Sequence, residues 1–340
     1  MFENRIYIIA EAGVNHNGDI RIAKQLIEAG KDAGVDCVKF QTWKTEALIT
    51  SDAPKAAYQL KNDGEGSQFE MLKKLELTYE DFKELQNYSR QVGIDFLSTP
   101  DEQESLNFLV DDLHMPIIKV GSGEINNLLY LKQIAQKRKP VILSTGMCNM
   151  SDVERAFLTL IKNGSPEVAI LHCTSEYPAA LDTVNLRAMD TLRNAFQVTV
   201  GYSDHTEGIA ISLAAAARGA RIIEKHFTLD KSMPGPDHKA SLNPSELKAM
   251  VEGIRNIEKA LGDGIKRIQD AEIATQRVVK KGIYALTNLK AGEIIKEEHL
   301  VGKRPMTEMG MEEYESIVGR RLRIDIQKNT AFSRNHVSWE

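Results

Sequence analysis

Cysteine is scarce in this chain, basic residues are not in excess, and long apolar runs are missing. Each shortage excludes a class of protein. The three cysteines, Cys37, Cys148 and Cys173, are scattered and odd in number. That argues against a disulfide framework and for a reducing compartment. No apolar run approaches the ~20 residues that a transmembrane helix needs. The first residues, Met1-Phe2-Glu3-Asn4-Arg5, lead straight into an apolar run, without the charged-then-apolar order of a secretory leader. Lysine and arginine number 43 against 48 aspartates and glutamates, a formal net charge of −5. This balance offers no footprint for nucleic acid or an anionic membrane surface, so an anionic ligand must be held by local groups. The expected protein is cytoplasmic, binds no nucleic acid and enters no membrane.

What the chain does contain is a repeat. Eight short runs rich in Val, Ile, Leu or Phe lie at 6–11, 37–41, 96–99, 117–124, 141–145, 168–173, 198–205 and 221–226. Each ends on a polar or ionisable residue and leads into a helical pattern. Strands alternating with helices imply a parallel sheet, and eight such units over about 260 residues imply a closed (β/α)8 TIM barrel, an α/β fold. Catalytic groups of that fold sit at the C-terminal strand ends, where these polar residues fall. The 340 residues leave room for a barrel at 1–262, a charged helical linker at 263–281 and a small β-rich domain at 282–340. In that last part, β-like pieces are expected at 282–286, 289–295 and 322–326. Barrel helices are expected at 20–33, 79–91 and 244–261, the last behind an Asn243 cap. The stretch 43–77 far exceeds the ~2–6 residues usual for such a connection. It reads either as a lid over the site or as a decorative insertion.

His205 and His226 close the seventh and eighth runs. Neighbouring strands lie ~4.8 Å apart, so two imidazoles at one level can share a divalent metal. Two such ligands with open positions suit Mn²⁺, Fe²⁺ or Zn²⁺; the plain alternative is two unrelated polar strand caps. Glu11 or Asp237 is available to complete or polarise such a site. Lys39 and Lys119 end the second and fourth strands. With Thr99, Ser122, Ser144 and Ser203 they form a ring of cations and hydroxyls that suits a phosphate or carboxylate. A lone strand-end lysine is more often solvated or salt-bridged. Gly121-Ser122-Gly123 lets backbone N–H groups approach an anion. Glu11 and Glu124 end strands one and four; either can act as general acid or base or order a water, or simply pair with the lysines. His172 and Cys173 are adjacent in the sixth strand and face opposite ways. The expectation is His172 inward and Cys173 outward, which rules out a Cys–His nucleophile. Asn126, Asn127, Ser175, Glu176 and Tyr177 follow strands four and six, as groups fit for a polyol or as ordinary loop residues.

The first five strand ends carry Ala10-Glu11-Ala12-Gly13-Val14-Asn15-His16-Asn17-Gly18, Val38-Lys39-Phe40-Gln41-Thr42, Ser98-Thr99-Pro100, Lys119-Val120-Gly121-Ser122-Gly123-Glu124 and Leu143-Ser144-Thr145-Gly146-Met147. The later ones carry Leu171-His172-Cys173-Thr174-Ser175-Glu176-Tyr177-Pro178, Gly201-Tyr202-Ser203-Asp204-His205, Glu224-Lys225-His226-Phe227-Thr228 and Pro234-Gly235-Pro236-Asp237-His238. Taken together these segments resemble the sialic acid synthases, the N-acetylneuraminate synthases and the related legionaminic and pseudaminic acid synthases. The tail, including Lys303-Arg304-Pro305, looks like the antifreeze-like (SAF) domain of that family, so the likeness spans the chain in collinear order.

The resemblance implies a metal-dependent condensation of phosphoenolpyruvate with N-acetylmannosamine, giving sialic acid and phosphate through C–O cleavage. The alternative acceptor is a 2,4-diacetamido-2,4,6-trideoxy-hexose, giving legionaminate or pseudaminate. It implies a divalent metal, Mn²⁺ foremost with Mg²⁺ or Co²⁺ as substitutes, on His205 and His226. Phosphoenolpyruvate is implied on Lys39, Thr99, Lys119, Ser122, Ser144, Ser175 and Ser203. The sugar is implied near Tyr177, Asp204 and Arg304, with Glu11, Glu124 and Asp237 as catalytic acids. It also implies a homodimer with swapped tail domains, Arg304 reaching the N-acyl group of the other subunit's sugar. Two departures stand out. Met306-Thr307-Glu308-Met309-Gly310 replaces a Gly-bearing loop after Pro305, and Asp101 stands where relatives commonly carry Phe. Two other readings compete. A metal-dependent barrel hydrolase would need more His or Asp at the strand ends. A tail acting as an ice- or glycan-binding module would need a flat Thr-rich face, whereas this tail carries Arg320, Arg321 and Arg323.

Overall fold

The computed structural model describes residues 5–340; residues 1–4, read above as lacking a leader, lie outside the described residues. Eight strands follow the expected runs: β1 (Tyr7–Gly13), β2 (Cys37–Thr42), β3 (Asp95–Pro100), β4 (Ile118–Val120), β5 (Val141–Ser144), β6 (Val168–Cys173), β7 (Val200–Asp204) and β8 (Ile222–His226). All ladders between them are parallel, in the order β3-β2-β1-β8-β7-β6-β5-β4. The ends of that order, β3 and β4, lie side by side, so the sheet curls into a nearly closed barrel. Strands covered by helices outside and side chains inside are buried on both faces. That is why they read as continuous apolar runs, and Ile8, Ile9, Val38, Ile142, Leu171 and Ile223 are all buried. The fourth run is shorter than expected: the strand stops at Val120, and Ser122–Glu124 turns as a 3₁₀ helix.

The helices form for local reasons. Ile20–Ala33 buries Ala23, Leu26, Ile27, Gly30 and Ala33 on one face, starts where the Asp19 side chain accepts from the Arg21 N–H, and ends at Gly34 with φ 83°. Pro244–Leu261 begins with a reciprocal Asn243–Glu246 cap and proline in its first turn; such a cap contributes about 1 kcal/mol. Gly201 matters to the site because a Cβ there would lie 2.4 Å from the Ile222 carbonyl oxygen. Only glycine lets β7 and β8 close upon each other.

The long stretch after β2 is not structureless. It holds the helices Thr45–Leu48, Ala57–Asp63 and Gln68–Leu75. Trp43, Met71 and Leu75 pack with Val14 in a small separate apolar cluster that anchors it beside β1. The buried Lys55 ammonium ties its bend together, pairing with Asp63 at 2.7 Å and donating to the Gly64 and Glu65 carbonyls.

The chain divides into two compact units, the first ending at Gly262 and the second spanning Asp263–Glu340. The second contains the helix Ile273–Val279 and an antiparallel pair, β9 (Gly282–Ala285) and β10 (Leu300–Lys303). Its core gathers Ile283, Leu289, Ile295, Ile317, Leu322 and Phe332. The pieces expected as strands at 289–295 and 322–326 form single bridges, such as Leu289 to Ile326 and Leu322 to Val337. Among the described residues, no helix is long and apolar enough to cross a membrane.

Candidate active site at the strand ends

A cavity of about 520 Å³ opens at the C-terminal ends of the barrel strands. Its floor is a ring of alternating charge. Lys39 Nζ lies 2.6 Å from Glu11 Oε2 and 3.8 Å from Glu224 Oε2, and Lys119 Nζ lies 3.5 Å from Glu224 Oε1. Hydroxyls fill the gaps: Lys39 donates to Thr99 at 3.1 Å, Lys119 to Ser144 at 2.7 Å, and Ser203 to Glu224 at 3.1 Å. Gln41 donates to the other Glu11 oxygen at 3.0 Å. Gly146 lies under the Ser122 and Ser175 hydroxyls; a Cβ there would sit 2.1 Å from Ser175 Oγ.

These groups are buried, and burial drives their acidities apart. It raises the Glu11 carboxyl to about 7, with Lys39 opposing and Glu224 adding to the shift. Glu224 would also rise on burial, but Lys119 and Lys39 outweigh that and hold it down at about 2. Burial likewise lifts Asp101 to about 7 and Asp237 to about 6, and depresses the Lys119 ammonium. Two neighbouring carboxyls with opposite shifts divide their roles. The two lysines favour the anion at Glu224, whereas burial favours the protonated form at Glu11.

Two imidazoles, His205 and His226, line the same cavity with ring centres 5.4 Å apart. His205 Nδ1 donates to the Thr174 carbonyl at 2.7 Å, which leaves Nε2 with its lone pair. His226 Nδ1 is buried without a hydrogen-bond partner and lies 3.9 Å from an Asp237 oxygen. Among the described residues, no group of three or more His, Cys, Asp or Glu side chains is set to enclose an ion. Two imidazoles with free nitrogens fit a divalent ion that keeps its other positions for water or substrate. Tyr177 packs against His205 in a tilted pair with ring centres 4.1 Å apart and meets His226 edge-on at 5.7 Å, and Tyr58 stacks on Tyr177 at 5.0 Å. Asn62 donates to the Pro236 carbonyl at 2.8 Å. The long stretch after β2 therefore covers the cavity, to which it supplies Tyr58, Gln59 and Gln68.

A NeuB family profile matches residues 26–266 of this chain. The chain belongs to the NeuB family. It is 51% identical over 316 residues to the N,N'-diacetyllegionaminic acid synthase of Campylobacter jejuni, covering 92% of this chain and 94% of that one. To the protein of the same name from Legionella pneumophila it is 45% identical, covering 97% and 94%. Among solved structures, the N-acetylneuraminic acid synthetase of Leptospira borgpetersenii, crystallised with citrate, superimposes with a TM-score of 0.70 at 35% identity, covering 80% of this chain and 90% of that one.

In this NeuB barrel, Glu11, Lys39, Thr99, Lys119, Ser122, Ser144, Ser175, Tyr177, Ser203, His205 and His226 all line one cavity. Asp237 borders it through His226. Glu124 is not among the residues lining this cavity, and its carboxylate accepts from Asn127 at 2.8 Å. Arg304 is exposed in the second unit. Asp204 does not join the site. Ser203 and His205 point inward, so Asp204 between them points outward, where it pairs with Lys225. The sixth strand has the opposite phase from that expected. Cys173 lies inside, its sulfur 3.7 Å from His205 Nδ1, while His172 faces out and hydrogen-bonds the Val184 carbonyl at 2.7 Å. Sequence reasoning did not single out Glu224 or Gln41 as site residues, and it reached Tyr58 only as part of the stretch read as a lid or an insertion. For Glu224 a signal existed: if His226 faces inward, the residue two before it does too.

Proposed function

We propose that this NeuB-family enzyme joins phosphoenolpyruvate to a 2,4-diacetamido-2,4,6-trideoxy-hexose, giving N,N'-diacetyllegionaminate and phosphate. The chain is a transferase of the nonulosonic acid synthase type. One observation carries the reaction class: the buried Glu11–Lys39–Glu224–Lys119 ring with its hydroxyls, in one cavity with two imidazoles. The choice of sugar is supported by 51% identity to a diacetyllegionaminic acid synthase, against 35% to an N-acetylneuraminic acid synthetase.

Lys39, Lys119 and the surrounding hydroxyls hold the phosphate and carboxylate of phosphoenolpyruvate, which fixes its C3 toward the open-chain aldehyde. C3 attacks the aldehyde carbon, leaving an alkoxide there, and positive charge develops at C2. The Glu11 and Glu224 carboxylates face that charge. Glu11 accepts a proton from the water that adds to C2 and passes it to the alkoxide, forming a tetrahedral hemiketal phosphate. The C2–O bond to phosphate then breaks as the C2 hydroxyl proton passes to the leaving phosphate, and C2 becomes a ketone. His205 and His226 would hold a divalent ion, Mn²⁺ foremost, which supplies Lewis-acid polarisation of the aldehyde. Tyr177, Tyr58 and Asp237 face the sugar. A cytoplasmic homodimer, in which a swapped antifreeze-like unit brings Arg304 to the other copy's N-acyl group, belongs to the same reading and rests on family resemblance.

The test offers purified enzyme, phosphoenolpyruvate and Mn²⁺ with each candidate aldose and measures released phosphate. The reading expects kcat/KM for the diacetamido sugar to exceed that for N-acetylmannosamine by about tenfold or more, a difference of about 1.4 kcal/mol in transition-state binding. The reverse preference would contradict it.

A further inference from the structure

The β7–β8 ladder stops one residue short of His205. Its last Cα partners are Asp204 and Lys225, and His205 and His226 come next along the chain. Successive side chains point to opposite faces of a strand, so Asp204 and Lys225 stand on the outer side of the barrel wall, behind the histidines. Both side chains are fully buried, with Lys225 Nζ 3.0 Å from Asp204 Oδ2. The carboxylate is otherwise saturated: Oδ1 accepts from the Thr206 N–H at 2.9 Å and hydroxyl at 2.8 Å, and Oδ2 accepts from Ser212 Oγ at 2.6 Å. Lys225 also donates to the Thr206 carbonyl at 2.5 Å. Thr206 thus commits its N–H, hydroxyl and carbonyl to this pair, and His205 is pinned through the residue on either side of it.

A buried ion pair is a costly way to join two strands, and apolar residues of similar size often do as well or better. Apolar packing, however, lacks the directional bonds that replace a ladder where the ladder has ended. We infer that Asp204 and Lys225 are positioning residues for the metal pair, setting the spacing and aim of His205 and His226 from outside the barrel. The inference rests on the proposed divalent ion at those imidazoles. It also gives Asp204 a role that its outward position allows, in place of sugar contact. Groups that orient metal ligands in this way are worth about 10- to 100-fold in metal affinity.

The test is Mn²⁺ binding to the metal-stripped full chain, read from the electron paramagnetic resonance of the free ion, with circular dichroism as the check of folding. Asp204→Val combined with Lys225→Met replaces the pair by apolar residues of comparable size. Ser212→Ala combined with Thr206→Val removes two donors to the carboxylate while leaving the ion pair. The inference expects the first variant to bind Mn²⁺ about 10- to 100-fold more weakly and the second about threefold or more, both with wild-type circular dichroism. A folded D204V/K225M protein with wild-type affinity overturns it. Should that variant fail to fold, the S212A/T206V protein decides, and wild-type affinity there overturns it equally. The His205→Ala, His226→Ala double variant separates the two layers: if it still binds Mn²⁺ as the wild type does, the metal reading itself fails.

Discussion

Lys119→Met removes one of the two lysine cations lining the cavity while keeping a side chain of similar length. The lysine is 2% exposed, donates to Ser144 at 2.7 Å and lies 3.5 Å from Glu224. A hydrogen bond from an ammonium to a phosphate or carboxylate oxygen contributes about 1.5–3 kcal/mol, and 1.4 kcal/mol is tenfold in affinity, so KM for phosphoenolpyruvate should rise roughly 10- to 150-fold. Stability should fall too, because breaking a buried pair costs about 3–5 kcal/mol when the surviving charge is stranded. Glu224 is not stranded: Lys39 remains at 3.8 Å and the Ser203 hydroxyl at 3.1 Å. The loss should therefore sit near the low end, about 3 kcal/mol, which lowers the thermal midpoint of a barrel this size by roughly 6–12 °C. The assay is phosphate release with each substrate varied in turn, alongside thermal denaturation by circular dichroism. KM for the sugar should move by about threefold or less, since the removed group binds the other substrate. A folded variant with an unchanged KM for phosphoenolpyruvate would refute the assignment of the ring.

Three further outcomes follow from the geometry. The Glu11 carboxyl, raised to about 7, must be ionised to accept a proton from water; kcat should climb with pH below about 7 and level off above it, and Glu11→Gln should abolish that limb while lowering kcat about 10²- to 10⁴-fold. An identical pH profile in the variant would remove Glu11 from the proton transfer. Tyr58→Ala breaks the stack on Tyr177, an interaction contributing about 0.5–1.5 kcal/mol; KM for the sugar should rise about 2- to 12-fold with KM for phosphoenolpyruvate steady, and a sugar KM that does not move would leave the lid without a substrate role. Arg304→Ala should raise the sugar KM by roughly 10-fold or more through loss of a charge-assisted bond to the N-acyl oxygen; wild-type kinetics would sink the swapped-dimer reading.

Much of the barrel was legible because burial on both faces leaves each strand as an apolar run ending in polar chemistry. The helices Ile20–Ala33 and Pro244–Leu261 begin and end where caps, periodicity and glycine place them. Side-chain phase was harder. In Val168–Cys173 both faces are apolar, so no alternation tells which of His172 and Cys173 points inward, and neighbouring strands decide it. Where one inward residue was in hand, strand geometry extended further than it was taken: His226 inward makes Glu224 inward, and His205 inward sends Asp204 out. Tyr58 was out of reach for another reason. Its place over Tyr177 depends on the Lys55 and Asn62 bonds and on the Trp43 cluster, tertiary contacts within an irregular stretch that has no period to read. In the second unit, strand propensity at 289–295 and 322–326 was overridden by tight turns that leave room for single bridges.

The most direct test of the central claim uses phosphoenolpyruvate labelled with ¹⁸O in the oxygen bridging C2 and phosphorus. Purified protein, Mn²⁺ and the 2,4-diacetamido sugar are added, and the masses of phosphate and keto acid are measured. The account predicts that consumption of phosphoenolpyruvate requires the sugar, that the released phosphate carries the label, and that a nine-carbon 2-keto acid forms without it. Label retained in the organic acid, or phosphate release that is indifferent to the sugar, would contradict it.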